Sequence, residues 1–71
     1  MKQMTIVNSE RTKKIEISEY ANPYLTDSDV KEYLIKISKY DFENSTFVLT
    51  TKFNIKGQID NVLETARNLI E

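Results

Sequence analysis

No cysteine and no histidine occur in the 71 residues, and there is one glycine and one proline. Each absence excludes something. Without cysteine there is no disulfide staple and no thiolate nucleophile, and such a composition suits a reducing, cytoplasmic setting. Without histidine the commonest metal ligand and the commonest general base near neutral pH are both missing. A lone glycine cannot build a phosphate-cradling loop or a nucleophile elbow. So few glycines and prolines also speak against linkers and low complexity. Apolar runs stay far below the roughly 18 residues of a membrane-spanning helix, and MKQMTIVNSE carries no signal-peptide core. The richness in Lys, Ile and Asn points to AT-rich coding, as in a low-GC bacterium or its phage.

Ten basic residues face eleven acidic ones, a net charge of -1. The large positive field of a general nucleic-acid binder is therefore lacking. Residues 1–71 read as a single domain near the lower size limit for independent folding. A core of that size supplies about 3–5 kcal/mol unaided. With no covalent or metal staple in view, self-association is expected, a two-fold dimer first.

Turn-forming clusters at 8–11, 21–23, 43–45 and around Gly57 cut the chain into five pieces. Residues 2–8 alternate, with Met4 and Ile6 sharing a face, and residues 12–18 alternate around Ile15 and Ile17. Two such runs joined by polar residues predict a β-hairpin, with a loop longer than two residues for want of Asn-Gly or Asp-Gly. Thr26 with Asp29 resembles a capping box, so a helix is expected to start near residue 27. Val30, Tyr33, Leu34 and Ile37 form its apolar stripe at i, i+3, i+4, i+7. Ile35 falls about 140° away from Val30, among Lys31, Glu32, Lys36 and Lys39.

The stretch STFVLTTKF (45–53) reads as a third strand, rich in β-branched and aromatic residues. Strict alternation puts Phe47, Leu49 and Phe53 inward and Thr46, Val48, Thr50 and Lys52 outward. From residue 58 a second helix carries Ile59, Val62, Leu63, Ala66, Leu69 and Ile70 on one stripe. The expected fold is α+β, a two-layer β-β-α-β-α domain with a three-stranded, mainly antiparallel sheet and both helices on one face. The core would draw on Ile6, Ile15 and Ile17, then Val30, Leu34 and Ile37, then Phe47, Leu49 and Phe53, and finally Ile59, Leu63 and Ala66. The other sheet face would show threonines and mixed charge.

Chemistry is sparse. Asp27 with Asp29 and Asp41 with Glu43 place carboxylates two apart, a spacing able to touch a hard cation. Helix capping explains the first pair and a solvated loop the second, so no catalytic, cofactor or metal site is expected. The leading reading is a small non-enzymatic interaction or regulatory module. Its candidate interface is Tyr20, Tyr24, Tyr33, Tyr40 and Ile35, since tyrosine is enriched in interface cores. The alternative is a nucleic-acid-binding regulator using Arg11, Lys13 and Lys14 on the hairpin. Against it stand Glu10, Glu16 and Glu19 nearby, and an open face lacking the aromatics of an RNA-reading sheet.

Overall fold

The computed structural model describes residues 3–25 and 30–70. The capping box at Thr26 and the Asp27/Asp29 pair lie outside the described residues. Four strands precede one helix: β1 (Gln3–Val7), β2 (Lys13–Tyr20), β3 (Lys31–Asp41), β4 (Thr46–Gly57) and α1 (Ile59–Ile70). The strands form a simple antiparallel meander in the order β1-β2-β3-β4, and α1 lies across one face. No helix is long and apolar enough to cross a membrane among the described residues.

The expected three-stranded sheet with two helices is thereby corrected to four strands and one helix. Residues 31–41 are the cause. Their apolar positions satisfy a helical stripe, but Tyr33, Ile35 and Ile37 also alternate with period two. The β-branched and aromatic side chains of this stretch suit a pleated surface better than a helix. Long partners on both sides decide the matter. β3 pairs with β2 from Lys13↔Lys39 to Tyr20↔Glu32, and with β4 from Lys31↔Gly57 to Asp41↔Thr46. As the central strand of a long hairpin, this segment satisfies its backbone groups on both edges, which a solvent-facing helix would not need. Ile35, the misfit of a helical reading, is 2 % exposed and sits between Ile17 and Phe53.

Helix α1 presents Val62, Ala66 and Ile70 to the sheet. They pack with Ile15 and Ile17 of β2 and Tyr33 and Ile35 of β3, flanked by Met4, Ile6, Phe53 and Ile55. The Gln58 carbonyl accepts the first helical bonds, from the amides of Asn61 and Val62. Asp60 in the first turn and Arg67 in the last both complement the helix dipole. The molecule is 45 Å long, whereas twelve helical residues span about 18 Å. The helix therefore covers less than half of the sheet's length.

The second correction concerns β4. Ile37 pairs with Thr51 but Ser38 pairs with Leu49, so Thr50 is an extra residue in a β-bulge. One extra residue reverses the inside–outside phase of everything before it. Phe53 and Ile55 lie on the helix side with Ile35 and Tyr33, whereas Phe47 and Leu49 share the opposite face with Tyr40 and Ser38. Phe47 and Leu49, expected inward, line the uncovered face, and Leu49 is 51 % exposed. Leu34, also expected in the core, alternates onto that face and is half-buried.

Candidate functional site

In a four-stranded meander the β1–β2 and β3–β4 tips fall at the same end of the sheet, and here they frame the uncovered face. The first tip is a type of turn that needs no glycine. Asn8 accepts a backbone bond from Arg11, while its side-chain oxygen takes the amides of Thr12 and Lys13. Asn8 Nδ2 also donates to the Thr12 hydroxyl at 2.9 Å. The second tip repeats the device: Asp41 Oδ1 accepts the Glu43 amide and Oδ2 accepts Asn44 Nδ2 at 2.7 Å. The bond from Asn44 is the main reason the Asp41 carboxyl titrates below its ordinary value. Each loop then closes through one residue in the left-handed region, Arg11 at φ 57° and Ser45 at φ 52°.

Between the tips lies a cavity of about 660 Å³ lined by Val7, Glu10, Arg11, Tyr40, Phe42 and Phe47. Its floor is aromatic. Tyr40 meets Phe42 edge-to-face at 4.9 Å between centroids, and Phe47 in the same manner at 5.3 Å. These are the offset geometries that aromatic quadrupoles favour. Lys14 Nζ stands 4.8 Å from the centre of the Phe47 ring, within cation–π range. Phe42 projects from the tip and is 73 % exposed, second only to Tyr24 among the large hydrophobic side chains of the described residues.

Below this cluster the same face is cationic. Cross-strand rows place Lys36 directly opposite Lys52, and Lys56 opposite Glu32. Glu16 flanks Lys36 on its other side and lies 3.8 Å from Lys14. Glu32 is buried and tied down: Asn22 and Asn54 each donate a side-chain amide to its carboxylate, at 2.9 and 2.7 Å. Those two bonds hold its pKa below the usual range. At the far end, Lys31 and Glu19 pair at 2.9 Å, lowering the glutamate's pKa and raising the lysine's through their shared hydrogen bond.

The residues expected to form a tyrosine interface are not brought together. Tyr33 is 4 % exposed, and with Ile35 it belongs to the core, so neither is available to a partner. Tyr20 and Tyr24 are exposed at the loop end, with Tyr20 beside a 340 Å³ cavity. Tyr40 lies eight strand positions from that end, roughly 25 Å away. The cationic trio is divided as well. Lys14 faces the aromatic cluster and Arg11 its rim, but Lys13 is on the helix side and donates to the Leu69 carbonyl at the end of α1. Among the described residues no group of three or more acids is gathered as a metal site would require.

Alternation in β1 already placed Val7 on the open face, but sequence reasoning missed Phe42, Phe47 and Leu49 as its neighbours there. The one available signal was Phe42 itself, a large aromatic inside a polar turn. No protein-family model matches the chain, and comparison with curated proteins and with solved structures gives no match.

Proposed function

We propose that the chain is a small non-enzymatic binding module whose working surface is the hairpin-tip end of the open sheet face. The observation that carries this reading is the aromatic cluster around a concave floor, in which half-buried Tyr40 and Phe47 support an exposed Phe42. Two tip loops with side-chain-locked turns hold it from either side. The chain gains nothing in stability from an aromatic ring left in water, so a partner that covers it supplies the missing burial. The reading assigns the protein to the cytoplasm, in keeping with its lack of cysteine.

Self-association through a strand edge finds little support. β4 is a long edge, yet it is bulged at Thr50 and carries Lys52 and Lys56, devices that discourage edge pairing.

The test uses a photo-cross-linking amino acid at position 42, or at position 64 on the outer side of α1, in cells expressing the chain. Discrete adducts from position 42 alone support the assignment. Equal adduct patterns from both positions overturn it.

A further inference from the structure

The open face of the sheet carries more basic than acidic side chains, while Lys13, Lys31, Lys39 and Glu19 alternate onto the helix side. The open face holds Lys14, Lys36, Lys52 and Lys56 against Glu16 and Glu32. Of the two carboxylates, Glu16 is shared with Lys14 and Glu32 is buried under two amides. Among the described residues no carboxylate comes within 4.0 Å of Lys36, Lys52 or Lys56, with Glu16 the cross-strand neighbour of Lys36 and Glu32 that of Lys56. Lys36 and Lys52 are moreover direct cross-strand neighbours, an arrangement that destabilises a sheet through like-charge repulsion. A bound anion relieves that repulsion.

The cationic column and the aromatic floor are on the same face and continuous along β4. From Phe47 to Lys56 the strand runs for about 30 Å. Resting on the reading above, we infer that the open face binds single-stranded nucleic acid, with bases stacking at the Phe42/Tyr40/Phe47 tip and phosphates following Lys36, Lys52 and Lys56. The aromatic floor offers flat apolar contact that any base can use, and the lysines are point charges without base-reading geometry. Binding is therefore tolerant of sequence. A duplex keeps its bases stacked on one another and offers the tip no free ring. An acidic peptide would satisfy the lysines but leave the aromatic floor unused. A second copy presents the same positive face and is repelled.

The experiment is fluorescence anisotropy of the full chain with labelled oligothymidine and oligouridine of about twelve nucleotides, at 50 and 200 mM salt. The expected result is binding at the lower salt that weakens about tenfold to twentyfold at the higher, from three neutralised phosphates. Lys36→Gln with Lys52→Gln folds at least as well as the parent, having lost a repulsion, and flattens the logarithmic salt slope by about 1.4. Phe42→Ala, at an exposed site, weakens binding about fivefold or more and leaves the slope unchanged. Three results would overturn the inference: no binding at 50 mM salt, equal affinity for a duplex of the same length, or displacement by polyglutamate as effective as by unlabelled oligothymidine. If the oligonucleotides fail while position 42 still yields specific adducts in cells, the ligand class falls and the binding surface stands. If both fail, the surface itself is misassigned.

Discussion

The hydroxyl of Thr50 donates to the carbonyl of Ile37 at 3.0 Å, across the point where β4 changes face. Thr50 has no cross-strand partner of its own, and this side-chain bond helps hold the extra residue in place. On one side of it Phe53 packs into the core, and on the other Phe47 joins the open face. The two phenylalanines should therefore respond differently to truncation. Phe53→Ala is expected to cost about 3–5 kcal/mol, and Phe47→Ala about 1 kcal/mol. Urea midpoints measure both, and equal losses would restore a single-phase strand.

Ile35 provides a sharper probe of β3. It is 2 % exposed, between Ile17 and Phe53 in the register. Ile35→Ala should cost roughly 2–5 kcal/mol, close to the whole stability of so small a domain. Ile35→Glu should not fold. A folded Ile35→Glu protein by circular dichroism would place residue 35 on the surface.

The pH dependence follows from three carboxylates held below their ordinary values. Glu32 is depressed by the Asn22 and Asn54 amides, Glu19 by its bond to Lys31, and Asp41 by Asn44. Each binds its proton less tightly folded than unfolded. The stability they contribute is present above the unfolded values of 4.5 for glutamate and 3.8 for aspartate, and is lost as pH falls through the lower folded values. Lys31 behaves oppositely: its contribution holds below 10.5 and fades as pH rises through the raised folded value. Thermal midpoints should be level around neutrality and drop on acidification below pH 4.5. Glu32→Gln should lower the midpoint at pH 7, because its one oxygen can accept from only one of Asn22 and Asn54 while its NH2 opposes the other. It should also shrink the acid drop, because the titrating group is gone. A wild-type midpoint that rises on acidification through the carboxylate range would contradict the assignment.

Arg11 occupies a left-handed conformation that glycine adopts without steric cost. Arg11→Gly is expected to leave stability unchanged or raise it by about 1 kcal/mol. Glu64→Gly, within α1, should lower it by about 1 kcal/mol. Chemical denaturation of the two variants side by side checks the sign. Losses of equal size would mean the first tip is not built on a left-handed Arg11.

How much of this was legible in the chain depends on whether the deciding signal was local. β1, β2 and α1 are written in uninterrupted periodicity: Met4 and Ile6, Ile15 and Ile17, then Ile59, Val62, Leu63, Ala66 and Ile70. Each pattern matches one element type and not the other, and polar turns bound it. The absence of histidine, cysteine and glycine-rich loops likewise narrows the chemistry through composition alone.

Residues 31–41 were ambiguous because Tyr33 and Ile37 fit a helical and a strand period alike. Only Ile35 discriminated, and its burial depends on β2 and β4 arriving on either side. The faces of β4 were out of reach for a different reason. Phe47, Leu49, Phe53 and Ile55 all sit at odd positions, and a bulge leaves no mark on that shared phase. It arises where strands of fixed register meet, between Ile37 and Ser38. Composition and local periodicity set the element inventory at both ends of this chain. Pairing between distant strands decided the middle, and with it the appearance of Phe47 beside Tyr40 and Phe42 on the open face.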